Sequence, residues 1–321
     1  PAVARNAFDR LVDRVQMQIA DLHECGFRQI LERHGALHGK IGRVDLQDQS
    51  RLVDREIFVA QFTRERIDVF FVAVVEHVLQ RGCDDAGRLL HAAIGEQGKG
   101  MSELAVAWTL PLERIYALVK ECHGWEAVEA AKRGDKAIIF VTPHLGCYDI
   151  AGRYLESRLP ITALYRPPKL KSLEPIMQRG RRRGAAETAS ADASGVRALL
   201  KALKGGGNIV ILPDQVPAPE QGGDGVWADF LGEPAYTMTL LPRLARSADA
   251  AVLFFFAERL PKGGGYRVHI MPMDEPFAAE KISAARQTNA MVEKLIAMAP
   301  AQYLWGYNRY KQPAGAPPRP S

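Results

Sequence analysis

The residues with the clearest capacity for chemistry are His144 and Asp149, in the stretch 137–149, AIIFVTPHLGCYD. An imidazole with a carboxylate on one ring nitrogen is oriented, held in one tautomer and made a better base. Its other nitrogen can then take a proton from a hydroxyl. That is equipment for acyl transfer without an enzyme nucleophile. Positions five apart on a continuous helix diverge by about 500° of rotation, so the two side chains meet only if His144 lies in a loop and Asp149 in the first helical turn. Gly146 supplies the loose backbone such a turn needs. The plainer reading makes His144 a strand-end residue bonded to a nearby carbonyl and Asp149 an N-cap, since motifs this short recur by accident.

The elements that must position this pair follow from hydrophobic patterning. Ala137 to Val141 is a short, wholly apolar run of the kind found in interior parallel strands, and it stops at Thr142 and Pro143. His144 then stands at the strand's carboxyl end, where open α/β sheets carry their chemistry. A helix over 150–159 and a strand over 161–165 complete a βαβ unit and bring Arg166 to the same rim. Further on, a helix over 194–203 leads to a strand at 208–212 that ends in Pro213, Asp214 and Gln215.

Residues 216–229, rich in Pro, Gly and Gln, read as a mobile loop over the site. A helix over 238–248 follows, then strands at 250–257 and 266–271 that can pair antiparallel, and a helix over 282–299. His269 alternates with apolar neighbours and reads as a satisfied sheet residue. Ahead of the catalytic strand, helices are expected over 85–94, 99–107, 111–122 and 124–132. The whole predicts an α/β fold of three layers, with a mixed, mostly parallel central sheet flanked by helices.

At 321 residues, with 47 % apolar and 25 % charged side chains, the chain can bury a full core and is not expected to be disordered. A net charge of +5 favours an acidic partner: nucleic acid, an anionic lipid surface or an acidic carrier protein. Cys25, Cys83, Cys122 and Cys147 lack C-x-x-C spacing and a histidine pattern for zinc, so reduced thiols and no metal are expected. Cys147 reads as a small packing residue. No apolar run of about 18 residues exists and no signal peptide opens the chain, which leaves surface association but no spanning segment.

Seven basic residues lie between 166 and 183, namely Arg166, Lys169, Lys171, Arg179, Arg181, Arg182 and Arg183, opposed only by Glu174. Such a run suits a polyanionic ligand, arginine giving a bidentate fork for phosphate and lysine a point charge. The plainer alternative is a solvated helix face. Interleaved aromatics for base stacking are missing, as is any nucleic-acid-binding motif, so nucleic acid is not the expected partner.

The HLGCYD box resembles the H-x4-D/E motif of the glycerolipid acyltransferase superfamily, in particular the bacterial lipid A biosynthesis (lauroyl/myristoyl) acyltransferases. Five further segments resemble that branch in order: ALYRPPK at 163–169, RGRRRG at 179–184, ILPDQ at 211–215, FLGEPAYT at 230–237 and QYLWGYNRYK at 302–311. The likeness runs from about Arg88 to Gln312. It implies transfer of a fatty acyl chain from acyl carrier protein, or another acyl thioester, to a hydroxyl of a lipid A precursor, with no cofactor and no metal.

The same likeness implies that His144 and Asp149 are catalytic, and that Arg166 binds the acceptor's phosphate or supports the site. Lys169, Arg179, Arg182 and Arg183 would line the anion groove. Asp214 and Gln215 would position the acceptor or support His144, and Gly232, Thr237 and Arg309 match the family's later boxes as substrate-binding positions. Trp305 falls at a matching place in the closing segment. The implied location is the cytoplasmic face of the bacterial inner membrane, peripheral to it. Other readings are the same chemistry on another phospholipid or glycolipid, or a non-catalytic anionic-lipid-binding protein; a serine hydrolase is disfavoured by the lack of a G-x-S-x-G elbow.

Three segments are expected: an atypical part at 1–85, an acyltransferase domain at 86–312 and a disordered, proline-rich tail at 313–321. Family members usually open with an apolar anchoring helix, which residues 1–85 do not resemble. That part reads as a replacement domain, a poorly ordered extension or a segment not native to the enzyme. The amphipathic stretch 58–79 could lie in a membrane interface.

Overall fold

The computed structural model describes residues 85–165, 180, 184, 186–190 and 192–320. The chain divides into two compact units, 1–98 and 99–321, and the architecture below, apart from residues 85–98, belongs to the second. Residues 1–84 lie outside the described residues, so the expectations for the amphipathic stretch 58–79 and for the nature of the N-terminal part stand untouched.

A helix α1 (Asp85–Thr109) takes up both of the first two expected helices. The expected helix over 111–122 is realised only as α2 (Leu112–Tyr116); its second half is instead strand β1 (Val119–His123). Then come α3 (Trp125–Arg133), β2 (Ile138–Val141), α4 (Tyr148–Glu156), β3 (Ile161–Tyr165), β4 (Ala186–Ser190), α5 (Ala193–Lys204) and β5 (Asn208–Ile211). The chain continues through β6 (Gly225–Phe230), β7 (Glu233–Met238), α6 (Leu240–Ala248), β8 (Ala251–Arg259), β9 (Tyr266–Pro272) and α7 (Lys281–Met298).

The main sheet runs β1-β9-β8-β2-β5-β3-β4, and every pairing in it is parallel except that of β8 with β9. This is the mixed, mostly parallel sheet flanked by helices that the patterning predicts. The strands β2 and β3 are not neighbours, however, because β5 is inserted between them. The insertion matters chemically. In register, Val141 of β2 stands beside Ile211 of β5, so the residues that follow these two strands emerge side by side at the carboxyl edge.

The central strands are buried on both faces, which is why they read as continuous apolar runs. On one face Ile138, Phe140, Val210, Leu253, Phe255, Val268 and Ile270 pack with Ile115, Val128, Ile150, Ala151 and Leu155 of the helices. Alternation along the strands turns Ile139, Val141, Ile209, Phe254 and Phe256, all at or near zero exposure, to the other face. Here α5, α6 and α7 present Leu199, Leu203, Leu241, Leu244, Leu295 and Ile296, also buried.

The stretch 216–229, expected to be a mobile loop, runs at its end into strand β6, the first arm of a hairpin. β6 and β7 pair antiparallel, joined at Leu231 and Gly232, whose φ values of 53° and 92° give the doubly left-handed turn that suits the twist of a two-residue hairpin. The hairpin packs on α7, with Leu231 donating its N–H to Glu293 at 2.9 Å. Residues 313–320 carry no helix or strand but touch the hairpin, since Trp227 donates to the Pro317 carbonyl at 2.9 Å and Arg319 pairs with Glu233 at 2.6 Å.

Candidate active site

Beyond β2 the ladder continues for one step, Thr142 donating its N–H to the Ile211 carbonyl at 3.1 Å. Pro143 has no N–H to continue it. The chain then makes a three-residue turn centred on His144, closed by Leu145 N–H on the Pro143 carbonyl at 2.7 Å. At the adjacent strand end, Leu212 and Pro213 follow β5 and lead directly to Asp214 and Gln215.

Asp214 takes hold of His144 twice. Its Oδ2 accepts the His144 backbone N–H at 2.8 Å, and its Oδ1 lies 2.9 Å from the ring Nδ1. An ionised carboxylate only accepts, so Nδ1 carries the hydrogen and the lone pair sits on Nε2. The Gln215 side-chain amide, Nε2, lies 3.2 Å from that bare nitrogen and donates to it. Both members of the pair are nearly enclosed, with side-chain exposures of 14 % for His144 and 3 % for Asp214.

The expected partner of His144 was Asp149. Asp149 sits in the first turn of α4, as the spacing required, and its negative charge raises the imidazole's affinity for a proton. The hydrogen bond to the ring, however, comes from Asp214. The physical reason is the placement of β5 next to β2, which delivers a second carboxylate to the turn from 70 positions along the chain.

The loop carrying His144 is clamped from behind. Gly146 donates to the Gln302 carbonyl at 3.0 Å, Leu304 donates to the His144 carbonyl at 3.0 Å, and Leu145 bridges Tyr303 antiparallel. On the other side Cys147 donates to the Ala257 carbonyl at 3.1 Å. Arg259 joins the two supports: its guanidinium donates to the Gly146 carbonyl at 2.9 Å and pairs with Glu103 at 2.6 Å, while its backbone N–H goes to the Gln302 side chain at 2.8 Å. Tyr266 adds its hydroxyl to the same Glu103 oxygen at 2.8 Å. Sequence reasoning missed this support: Glu103 and Arg259 carry no motif, and Gln302, though it opens the segment 302–311, had no role assigned to it.

Gly232 is the second residue of the hairpin turn, and Thr237 and Arg309 belong to a buried polar cluster. Arg309 donates to the Tyr236 carbonyl at 2.8 Å and to the Thr237 hydroxyl at 2.7 Å, and its guanidinium lies 5.2 Å from the centre of the Phe230 ring. Thr237 and the two terminal nitrogens of Arg309 are thus bonded to protein groups, while Arg309 Nε is buried with no hydrogen-bond partner among the described residues. Trp305 is buried too, donating to the Pro300 carbonyl at 2.7 Å. The other expected anion-binding residues, Arg166, Lys169, Arg179, Arg182 and Arg183, lie outside the described residues.

Burial alone would push the His144 imidazole down, but the charge and hydrogen bond of Asp214, with the charge of Asp149 behind them, carry it above its ordinary value. For Asp214 burial pushes up, and His144 more than reverses it. Cys147 is buried and its thiol is pushed up by that burial and by the nearby Glu103, which opposes the thiolate a cysteine nucleophile needs. His269 is paired with Glu258 at 2.8 Å within the sheet. Among the described residues no group of three or more His, Cys, Asp or Glu is placed to hold a metal ion, and no helix is long and apolar enough to cross a membrane.

A neutral imidazole acting as base predicts a pH dependence. Activity falls as pH drops through the His144 pKa, so the acid limb of kcat/KM is expected above the usual imidazole value of about 6.5. Asp149→Asn, which removes one of the charges lifting the ring, moves that limb to lower pH. Stability runs the other way: a raised imidazole stabilises the fold below its unfolded pKa, and that contribution is lost as pH rises through the folded value. Paired pH–rate and pH–melting series check both signs.

The site is an α/β sheet that presents a carboxylate-oriented imidazole at its carboxyl edge. The family model for bacterial lipid A biosynthesis acyltransferase matches residues 85–312. The chain is 30 % identical over 225 residues to the lipid A biosynthesis lauroyltransferase of Escherichia coli (strain K12), covering 69 % of this chain and 72 % of that enzyme. It is 27 % identical over 237 residues to the lipid A biosynthesis palmitoleoyltransferase of the same strain, covering 74 % and 76 %. With the lipid A biosynthesis myristoyltransferase of that strain it shares 26 % identity over 209 residues, 64 % and 62 % of the two chains. The chain belongs to the bacterial lipid A biosynthesis acyltransferase family, and it is an acyltransferase.

Proposed function

We propose that this enzyme moves a fatty acyl chain from the thioester of an acyl carrier protein to a hydroxyl of a lipid A precursor, with His144 as general base. The observation that carries the reading is the geometry at His144: Nδ1 bound to Asp214 at 2.9 Å and Nε2 turned toward a side-chain donor at 3.2 Å. Nε2 takes the proton of the acceptor hydroxyl as its oxygen attacks the thioester carbonyl carbon. The carbonyl electron pair moves onto oxygen; on its return the C–S bond breaks, and the departing sulfur takes the proton from the imidazolium. The products are an ester and a free carrier thiol.

The buried carboxylate of Asp214 keeps the ring in the tautomer that this step needs and stabilises the transient imidazolium. The basic run 166–183 supports an acceptor bearing phosphates, and the net charge of +5 supports both an acidic carrier and an anionic membrane surface. The family likeness and that charge together support peripheral attachment to the cytoplasmic face of the inner membrane as part of this reading.

Incubating the intact chain with lauroyl, myristoyl or palmitoleoyl carrier protein and a phosphorylated lipid A precursor tests this. One acylated lipid is expected for each carrier thiol released, and thiol release is expected to stop when the precursor is withheld. Thiol release that persists without acceptor would instead mark a thioesterase, with water in the hydroxyl's place.

A further inference from the structure

An acyl transfer of this kind needs a donor for the oxyanion of the tetrahedral intermediate. The backbone amides of the His144 loop are the obvious candidates, and the structure commits all of them. His144 N–H is held by Asp214 at 2.8 Å, Leu145 N–H by Pro143 at 2.7 Å, Gly146 N–H by Gln302 at 3.0 Å and Cys147 N–H by Ala257 at 3.1 Å. On the neighbouring strand end, Val216 N–H is taken by the Tyr307 hydroxyl at 2.9 Å.

The Gln215 side chain is different. Its amide nitrogen stands 3.2 Å from His144 Nε2, and among the described residues that is the one hydrogen bond the side chain makes. An amide NH2 carries two hydrogens, and only one is used in this contact. The backbone on which it swings is fixed on both sides, by the Asp214 contacts and by the Val216 to Tyr307 bond. Gln215 is half-buried, open enough for a ligand to reach it.

We infer that the Gln215 amide is a catalytic group of this site, occupying the proton-accepting nitrogen of His144 at rest and donating to the oxyanion once the acceptor hydroxyl has replaced it. The assignment rests on His144 being the general base. In the resting state the amide N–H satisfies a buried lone pair that would otherwise lack a partner, and holds it bare of a proton. When the hydroxyl arrives, it takes over Nε2 as donor, and both amide hydrogens are released. The carbonyl oxygen of the thioester is bonded to the carbon under attack, so its oxyanion forms beside the hydroxyl oxygen and within reach of the displaced amide. On collapse of the intermediate the electron pair returns to the carbonyl, C–S breaks, and the amide is free to return to Nε2.

Gln215→Ala, Gln215→Glu and His144→Ala, assayed with the carrier thioesters above, test this. Gln215→Ala is expected to lower kcat by about 10²-fold, with KM changed by less than about threefold, since the lost bond exists only in the transition state. Gln215→Glu keeps the shape but puts a carboxylate against Nε2; kcat falls as far, and the acid limb of the pH profile moves to higher pH. A residue that merely packs the strand end would move neither the limb nor kcat selectively. NMR titration of the His144 ring in the free enzyme follows the same shift without any substrate. Wild-type kcat in Gln215→Ala, with His144→Ala inactive, would overturn the role of Gln215 and leave the base intact. Continued transfer by His144→Ala would overturn both.

Discussion

Asp214→Asn is expected to lower kcat by about 10³- to 10⁴-fold, close to the loss in His144→Ala, while KM for both substrates changes little. The reason lies in how many acceptors the side chain offers. The carboxylate serves two donors with two oxygens, the backbone N–H of His144 on Oδ2 and the ring Nδ1 on Oδ1. An asparagine has one oxygen and one NH2. If the oxygen stays with the backbone, the NH2 faces the ring and forces Nδ1 to accept, which places the proton on Nε2 and disables the base. If it turns to the ring, the turn at His144 loses its anchor and an N–H donor is left facing an N–H donor. Either way the ring also loses the charge that lifts its pKa, so residual activity has its acid limb at lower pH. Steady-state kinetics across pH, with folding checked by near-UV circular dichroism, measures this. A kcat within tenfold of wild type would remove Asp214 from the mechanism.

Gly146→Ala is expected to cost about 3 kcal/mol of stability, or roughly 10 °C in melting temperature, and to carry most of the activity with it. The position has φ of +59°, a left-handed conformation disfavoured for residues with a Cβ. A Cβ there would lie 2.0 Å from the Ala257 carbonyl oxygen and 2.9 Å from its carbon. These are backbone atoms of β8, in the middle of the sheet, and cannot step aside. The loop must move instead, and its movement breaks the Cys147 bond to Ala257 and the Gly146 bond to Gln302 that hold His144 in register. Thermal melting together with kcat at a temperature well below the melt separates the two effects: kcat is expected to fall at least tenfold even where the variant is fully folded.

What the sequence made legible, and what it did not, follows from where residues sit in the sheet. Strands β2, β5 and β8 are interior, buried on both faces, and their unbroken apolar runs mark them directly. The edge strands do not announce themselves: β1 reads VKECH and β4 reads AETAS, each half open to solvent, and neither has a run to find. The first was absorbed into a helix expected over 111–122. The hairpin of β6 and β7 was hidden by the Pro and Gly around it, though the left-handed pair Leu231 and Gly232 is a turn signal in hindsight.

At the site the same distinction holds. His144 and Gln215 could be picked out because strand ends with polar residues stand out against apolar runs. Support of His144 by Asp214 was one of two roles the family likeness implied, and no spacing chose between them, because only the insertion of β5 beside β2 brings Asp214 to the ring. Arg309 shows the opposite limit. A charged residue in a motif suggests a ligand, and its place among Tyr236, Thr237 and Phe230 is visible only once the chain is folded.

The pairing of Leu145 with Tyr303 has a consequence for how the enzyme comes into being. On a ribosome adding about 5–20 residues each second, the segment 302–304 is made many seconds after His144 has left the tunnel. Throughout that interval the turn lacks its Gln302 and Leu304 contacts, and of its polar ties to later segments only those from Asp214, Gln215 and the β8 region can be in place. The backing of the catalytic turn is therefore the last part of it to be synthesised.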